Sequence, residues 1–185
     1  MELRRVVVTG IGTINPLGNS IEEYFRNLEL GVSGAAPITN FDASNFKVRF
    51  ACEVKNYDWS RYFDRKEVRK YDRFAQFALV AAAEAVADAA LGDDVNRRRC
   101  GVVWSSGVGG IETYFQECMD YAKGGELPRF SPFFVPRMIA DLSAGHIAMK
   151  YGFMGPNYTV TSACASSNHA IIDALNLIRL GKADV

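Results

Sequence analysis

The fold is decided at residues 159–170, which read Thr159-Val160-Thr161-Ser162-Ala163-Cys164-Ala165-Ser166-Ser167-Asn168-His169-Ala170. A β-branched run gives way there to an apolar helix, and Cys164 stands at the junction. The start of a helix offers unpaired N–H groups and the positive end of a dipole, which favour a thiolate over a thiol and can stabilise an oxyanion. The junction therefore predicts a nucleophilic cysteine.

A structural role for Cys164 is the competing interpretation, because most free cysteines are buried as small hydrophobic residues. Three features favour the nucleophile. The flanking residues Ala163, Ala165 and Ser166 are small enough to admit a substrate, the cysteine lies between a strand and a helix, and a turn-rich segment at residues 151–157 fixes the entry of the strand.

Composition indicates one or two soluble α/β units. The chain has 185 residues, of which 49% are apolar, and 21 basic residues balance 21 acidic ones. No apolar run reaches membrane-spanning length and the first residues lack a signal-peptide core, so we expect a cytoplasmic protein without a membrane segment. The four cysteines and two histidines lack the spacing of a zinc site or a disulfide framework, which predicts reduced thiols and no metal.

Strand-like and helix-like segments alternate along the chain. The predicted strands cover residues 4–9, 48–54, 100–105 and 157–161. The predicted helices cover residues 20–30, 72–91, 111–122, 136–150 and 165–180. This alternation predicts an α/β fold with a mostly parallel sheet. Apolar residues surround most of the last helix, so we expect the helix that follows Cys164 to be buried on several sides.

Two glycine-bearing segments are candidate binding loops. Residues 8–15 follow a strand as a dinucleotide fingerprint does, but Asn15 takes the place of the third glycine and Pro16 interrupts the helix start. Residues 105–110 could cradle a phosphate through backbone amides, yet they lack the ending of a P-loop. We therefore expect tight packing near a pocket and no nicotinamide cofactor.

A basic cluster is the main feature of the charge pattern. Only Asp64, Glu67 and Asp72 oppose its six cations within thirteen residues: Arg61, Arg65, Lys66, Arg69, Lys70 and Arg73. A solvated helix face and a docking surface for an acidic partner both fit this pattern, and charge alone favours the former. The cluster is too short to indicate nucleic-acid binding.

Five blocks then carry a resemblance that runs in order along the whole chain. They are Arg5-Val6-Val7-Val8-Thr9-Gly10-Ile11-Gly12 with Asn15-Pro16-Leu17-Gly18, Arg69-Lys70-Tyr71-Asp72-Arg73-Phe74, Ser131-Pro132-Phe133-Phe134-Val135-Pro136, Gly155-Pro156-Asn157, and Thr161-Ser162-Ala163-Cys164. Together they resemble β-ketoacyl-acyl carrier protein synthase II, the elongating condensing enzymes of fatty acid synthesis. This family belongs to the thiolase-like superfamily, so the resemblance implies a layered thiolase-like fold.

The resemblance also implies a role for each site residue. Cys164 would accept an acyl chain from acyl carrier protein, and a malonyl-carrier unit would then lose carbon dioxide and attack the thioester. Lys66, Arg69 and Lys70 match carrier-docking positions. Val108 matches a position that lines the acyl tunnel, and Phe134 one that lines the tunnel of the neighbouring subunit in a homodimer. The family's reaction needs no cofactor.

One part of the family pattern is absent. Family members use two histidines from a second, repeated half, and this sequence ends before such a half. His146 and His169 match neither position, so we expect both to be structural. Residues 1–185 are therefore expected to be an incomplete N-terminal ketoacyl synthase domain, inactive alone, and a fragment of a longer synthase in preference to a natural truncation.

Three other functions stay open. The chain could belong to a non-catalytic partner subunit of a condensing-enzyme pair, to a polyketide-type ketosynthase, or to a carrier-binding or dinucleotide-binding module without acyl transfer. Non-catalytic partners typically lack the nucleophile, so the presence of Cys164 favours a catalytic subunit. The preferred chain length and the product are not fixed by these residues.

Overall fold

The computed structural model describes residues 3–185, and they divide into two compact units. The thiol unit, so named here because it holds Cys164, contains residues 3–8, Phe63–Leu79 and Leu91–Val185. The amino-terminal unit contains Thr9–Tyr62 and Val80–Ala90. All of the site residues predicted from the sequence lie in the thiol unit.

The described residues form six α-helices and four short strands. The helices are α1 Ile21–Glu29, α2 Arg73–Asp88, α3 Ile111–Lys123, α4 Phe134–Met138, α5 Leu142–Tyr151 and α6 Ser166–Arg179. The strands are β1 Ala36–Pro37, β2 Phe50–Ala51, β3 Val102–Ser105 and β4 Asn157–Val160. Single 3₁₀ turns lie at Trp59–Arg61, Val68–Lys70, Arg97–Arg99 and Ala163–Ala165.

A parallel pair of strands organises the thiol unit. β3 pairs with β4 in a register that joins Val102 to Asn157 at one end and Ser105 to Val160 at the other. Helices α5 and α6 both contact both strands. Their buried residues include Ala144, Ile147, Ala148 and Ala170, and Val102 of β3 is buried as well. The predicted parallel strand pairing is confirmed for β3 and β4.

An ion-pair cluster ties the two ends of the thiol unit together. The carboxylate of Asp184 accepts hydrogen bonds from Arg4 and from Arg99, at 2.8–2.9 Å. The bonds to Arg99 contribute most to holding the pKa of Asp184 at about 2, and those to Arg4 lower it further. The carboxylate therefore stays charged through the whole physiological pH range.

Helix α1 of the amino-terminal unit begins and ends as its sequence predicts. Ser20 caps it by accepting a hydrogen bond from the Glu23 amide, and Gly31 follows the helix at a φ of 65°. The strands of this unit are shorter than predicted. Only Phe50–Ala51 of residues 48–54 is a strand, and it pairs antiparallel with Ala36–Pro37.

The Gly10–Gly12 pair has a packing role in the amino-terminal unit. A Cβ atom at Gly10 would overlap the Ala85 carbonyl, and one at Gly12 would overlap the Ala81 carbonyl, both on α2. Glu84 of the same helix accepts hydrogen bonds of 2.8 Å from the amides of Thr13 and Ile21. The two glycines thus allow a close approach of this segment to the alanine-rich helix α2.

Two elements predicted from the sequence are wrong. Residues 4–9 form no strand, because no other segment within residues 3–185 supplies a hydrogen-bonding ladder for them, and Val8 is 81% exposed. The single helix predicted at 136–150 is two helices, α4 and α5. They separate after Met138, where Ile139 is extended and the Met138 carbonyl accepts a hydrogen bond from the Gly110 amide.

The structure does not confirm that α6 is buried on several sides. Ser166 and Ala170 are buried, whereas Ile171 is 68% and Ile172 51% exposed. Within residues 3–185 the helix packs through one face on β3 and β4. The apolar residues of its other face are therefore open to solvent in this chain.

Candidate active site

Two loops leave the same edge of the parallel sheet. β3 ends at Ser105 and β4 at Val160, and these two residues are partners in the strand register. The segment after β3, residues 105–110, is called here the glycine segment, and residues 161–166 after β4 are the thiol turn. Because the carboxyl ends of parallel strands lie side by side, the pairing places both segments at one edge of the sheet, where α/β proteins bind ligands.

Direct contacts join the glycine segment to the thiol turn. The Thr161 hydroxyl donates to the Ser106 carbonyl at 3.3 Å, and the hydroxyls of Ser105 and Ser167 lie 3.1 Å apart. The open side of Gly107 faces the Ala163 carbonyl, which lies 3.9 Å from the position that a Cβ atom would take. The two segments therefore form the walls of one site.

Cys164 lies at the centre of a 3₁₀ turn, Ala163–Ala165, between β4 and α6. Ala163 has a φ of +49°, in the left-handed region that non-glycine residues rarely adopt. The sharp turn leaves the Cys164 side chain exposed. Backbone strain of this kind persists only where the surrounding structure holds it, and it is common beside reactive residues.

Ser166 holds the thiol turn in place. Its buried hydroxyl accepts a hydrogen bond from the Ser162 amide and donates one to the Ala163 carbonyl, both at 2.7 Å. The Ala165 amide donates to the Ser162 carbonyl at 3.0 Å. These bonds close the backbone on both sides of Cys164 and offset the strain at Ala163.

The backbone of the turn provides an environment for negative charge. Helix α6 begins two residues after Cys164 and is 14 residues long. No oxygen of residues 3–185 accepts a hydrogen bond from the Cys164 amide. A free amide next to the positive end of a helix dipole can stabilise both a thiolate and an oxyanion.

The other three cysteines occupy different surroundings. Cys100 is buried, its Sγ lies 3.4 Å from the Asn96 carbonyl, and burial raises the pKa of its thiol. Cys52 and Cys118 are exposed, as Cys164 is. Exposure therefore does not distinguish Cys164, but its place in a strained turn before a helix does.

His169 contacts the thiol turn from the first turn of α6. Its Nδ1 atom lies 2.7 Å from the hydroxyl of Ser162, and both side chains are in the thiol unit. The structural role expected for His169 did not include this contact. A histidine five residues after Cys164 can thus reach back to Ser162, two residues before the cysteine.

Val108 and Phe134 both adjoin the start of α3. Val108 is 68% exposed in the glycine segment, and the neighbouring Gly110 amide donates to the Met138 carbonyl at 2.9 Å. Phe134 begins α4, and its ring stacks on Tyr114 of α3 with a centroid distance of 6.2 Å. The same packing of α3 on α4 thus supports both residues.

The predicted docking cations lie on one exposed turn, here called the basic turn, residues 64–70. Lys66, Arg69 and Lys70 are all exposed. Asp64 caps the turn by accepting hydrogen bonds of 2.7 Å from the amides of Lys66 and Glu67, and these bonds hold its pKa below the usual value. The cap fixes the backbone from which these three exposed cations project.

His146 packs against Tyr71, the residue that follows the basic turn. Its ring packs edge to face on Tyr71, with the centroids 4.7 Å apart, and Tyr71 directly follows Lys70. Burial, and to a lesser extent the charge of Lys70, lowers the pKa of His146. His146 is therefore a packing residue of the thiol unit, in agreement with the structural role that was expected for it.

Metal and membrane features were sought in the described part of the chain. Residues 3–185 contain no group of three or more His, Cys, Asp or Glu side chains arranged to hold a metal ion. Among the same residues, no helix is both long and apolar enough to cross a bilayer.

Comparison with known proteins identifies the family. Residues 3–185 match the family described as Beta-ketoacyl synthase, N-terminal domain. The chain belongs to this family. The ketoacyl synthase domain is 41% identical to 3-oxoacyl-(acyl-carrier-protein) synthase 2 of Synechocystis sp., a match that covers 99% of this chain and 44% of the relative. It is also 41% identical to the synthase 2 of Staphylococcus aureus strain COL, over 98% of this chain and 44% of that protein.

Solved structures agree with this assignment. The structure described as the ishigamide ketosynthase/chain length factor matches with a TM-score of 0.89 and 32% identity, over 98% of this chain and 45% of that one. A beta-ketoacyl synthase from Burkholderia phymatum matches with a TM-score of 0.79 and 24% identity, over 99% and 45%. The fold of the ketoacyl synthase domain is therefore that of thiolase-like ketosynthases.

The resemblance seen in the sequence is confirmed by these matches, and they also define its extent. The chain spans about 44% of the length of the curated relatives it matches. Sequence reasoning predicted Cys164 and the docking cations, which stay predictions, but it missed the bonds that Ser166 and His169 make to Ser162 and the positive φ of Ala163. The only sequence signal for these bonds was the run of small hydroxyl residues around Cys164.

Proposed function

We propose that the full-length protein is a β-ketoacyl-acyl carrier protein synthase that elongates fatty acids through an acyl-enzyme at Cys164. The observation that carries the proposal is the position of Cys164 in a strained turn between β4 and the start of α6. The class of substrate is supported by the matched family and by the 41% identity to two proteins named 3-oxoacyl-(acyl-carrier-protein) synthase 2.

The reaction divides into two half-reactions. In the first, the Cys164 thiolate attacks the thioester carbonyl of an acyl carrier protein, the Cys164 amide stabilises the oxyanion, and the carrier thiol leaves. In the second, malonyl-acyl carrier protein loses carbon dioxide, and the resulting enolate attacks the acyl-cysteine carbonyl. Cys164 leaves as a thiolate, and the product is a β-ketoacyl-carrier two carbons longer.

The second half-reaction would need residues in addition to those of this chain. By resemblance to the family, two histidines of a second half assist decarboxylation and condensation, and His146 and His169 are engaged in packing and in the thiol turn. The domain boundary at residues 1–185 is proposed on the same basis. We expect residues 1–185 alone to accept at most an acyl group.

The partners and the tunnel are parts of the same proposal. Lys66, Arg69 and Lys70 would bind acyl carrier protein, since a solved relative is described as a type II polyketide synthase acyl-carrier protein in complex with its ketosynthase. Val108 would line the acyl tunnel, and Phe134 would line that of the partner in a homodimer. The enzyme would act in the cytoplasm, and the exposed face of α6 would be covered in the full-length protein.

The alternative functions differ in measurable ways. A non-catalytic partner subunit has support from relatives whose structures include a chain length factor, but the exposed Cys164 favours a catalytic subunit. A polyketide-type ketosynthase would use the same acyl-enzyme, so only its products distinguish it: unreduced polyketone chains in place of a single β-ketoacyl extension.

Acyl transfer to Cys164 is the test of the proposal. The full-length protein is mixed with acyl-acyl carrier protein, and mass spectrometry of its peptides locates the acyl group. We expect one acyl group on Cys164, none in Cys164→Ala, and normal acylation in Cys118→Ala, which changes another exposed thiol. Equal acylation of Cys52 and Cys118, or acylation that persists in Cys164→Ala, would contradict the proposal.

A further inference from the structure

The residue before the strained Ala163 is held from two directions. The Ser162 amide donates to Ser166, and the Ser162 hydroxyl lies 2.7 Å from Nδ1 of His169. The first bond fixes the backbone of Ser162 and the second fixes its side chain. Because Ser162 immediately precedes Ala163, its orientation sets the direction in which the turn carries Cys164.

The two bonds differ in their surroundings. Ser166 is buried, so its hydroxyl belongs to the packed interior and its loss would affect folding. His169 is exposed and Ser162 is partly exposed, so water can replace either partner at little cost in stability. The bond between His169 and Ser162 therefore contributes little to the stability of this chain. Its effect is on the position of the thiol turn.

The partner of His169 in this bond is Ser162. Within residues 3–185 the ring bonds through Nδ1 to the Ser162 hydroxyl. A ring held in this way acts on Cys164 through the backbone of Ser162 and Ala163. Small displacements of a nucleophile cost rate far more than they cost binding.

We propose that His169 is a positioning residue: through the Ser162 hydroxyl it fixes the thiol turn. The Cys164 sulfur can then attack the carbon of the same acyl carbonyl whose oxygen accepts a hydrogen bond from the Cys164 amide. This inference rests on the proposed function for its substrate. It assigns to His169 no contact with the acyl group and no part in carrier docking. Its signature is a loss of acylation rate without a change in carrier affinity.

Substitutions at His169 can show whether a polar atom must lie at the place of Nδ1 or whether a polar side chain of any shape is enough. His169→Asn keeps a polar atom near the place of Nδ1, His169→Gln moves it to the place of Nε2, and His169→Ala removes it. In the full-length protein we expect His169→Ala to lower the acylation rate by about 10-fold with the KM for acyl carrier protein unchanged. Asn should restore the rate to within about threefold of wild type, and Gln should not.

A double-mutant cycle tests whether His169 acts through Ser162. If it does, His169→Ala in a Ser162→Ala background causes no further loss of rate. Asn168→Ala is the matched control, since Asn168 is the exposed neighbour on the same helix turn, and its rate should equal that of wild type. Thermal unfolding of each variant checks that the fold is retained.

A second readout, alkylation of Cys164 by iodoacetamide, needs no acyl carrier protein. We expect the same order of rates: wild type and Asn fast, Gln and Ala slow. Equal rates in His169→Ala and Asn168→Ala would overturn the inference, and so would additive losses in the double mutant. If the alkylation rates of the four proteins follow this order but the wild-type protein accepts no acyl group, the positioning role stands and the proposed function fails.

Discussion

The Asp72 carboxylate accepts two hydrogen bonds from one residue, Thr113. Its Oδ2 atom lies 3.1 Å from the Thr113 amide and 2.5 Å from the Thr113 hydroxyl, and the two residues are 5% and 4% exposed. Asp72 directly precedes α2, and Thr113 lies in the first turn of α3, so the carboxylate meets the positive ends of two helices. Tyr71 lies between the basic turn and Asp72 in the sequence. The bonds from Asp72 to Thr113 therefore connect the end of the basic turn to α3, the helix that follows the glycine segment.

The first prediction concerns this pair. Thr113→Val removes the hydroxyl donor at nearly constant volume and leaves a buried carboxylate short of one partner. We expect the free energy of unfolding to fall by about 1–3 kcal/mol, measured by chemical denaturation. Thr113→Ser keeps the hydroxyl and should lose clearly less. Equal losses in the two variants would mean that the hydroxyl bond is not what stabilises the pair.

The second prediction concerns the basic turn. Changing Lys66, Arg69 and Lys70 together to Glu should raise the KM for acyl carrier protein by about 10-fold or more, because an acidic partner meets reversed charge. The kcat/KM for a free acyl thioester should stay close to wild type.

A matched control for the basic turn makes the same change of net charge elsewhere. Lys47, Arg98 and Lys123 are also exposed, and changing them to Glu should leave the KM for the carrier nearly unaltered. A similar loss in both triple variants, or an equal loss on carrier and free thioester, would argue against docking at the basic turn.

The third prediction concerns chain length. Val108→Phe adds bulk to the glycine segment beside the thiol turn, so we expect the longest product to shorten by roughly one or two extension cycles. Product profiles by mass spectrometry check this. Val48→Phe adds the same bulk at an exposed valine of the amino-terminal unit and should not change the profile. An unaltered profile in Val108→Phe would remove Val108 from the acyl site.

The fourth prediction concerns pH. The pKa of His146 is lowered in the folded protein, chiefly by burial, so the unfolded chain binds the proton more readily. The stability that the neutral ring contributes is complete above the unfolded pKa of about 6.5, and it is lost as the pH falls below that value. Unfolding curves should therefore show less stability at pH 5 than at pH 7.5.

His146→Phe tests the origin of that pH dependence. A phenyl ring keeps an aromatic partner for Tyr71 and cannot be protonated, so the loss of stability between pH 7.5 and pH 5 should be smaller than in wild type. His169→Phe is the control, since His169 is exposed. If the variant and wild type lose the same stability, His146 does not carry this part of the pH dependence.

Local signals predicted the elements whose ends depend on their own residues. Ser20 and Gly31 delimit α1, and β3 and β4 lie within the segments predicted for them. The failures came from long-range interactions. Residues 4–9 have the composition of a strand, but a strand also requires a neighbour. The division of residues 136–150 depends on the bond between Met138 and Gly110, which are 28 residues apart in the sequence.

The sequence predicted the residues of the candidate site, and these stay predictions, but it did not predict the contacts that support them. The type of residue and its place before a helix predicted Cys164, and the resemblance to the family, not charge alone, predicted docking at Lys66, Arg69 and Lys70. The positive φ of Ala163 was not predictable, because alanine has no preference for that conformation. The same holds for the contact of His169 with Ser162, because it depends on the thiol turn bringing the first turn of α6 back towards the end of β4.

The pairing of Ser105 with Val160 restricts how this family of sequences can vary. One residue inserted into β3 or β4 would move every later side chain of that strand to the opposite face, and the two loops would no longer meet. Insertions after the loops, for example beyond α3, leave that alignment untouched. Divergence among homologues should therefore accumulate length changes outside the two strands, and the spacing within each strand should stay constant while its side chains change.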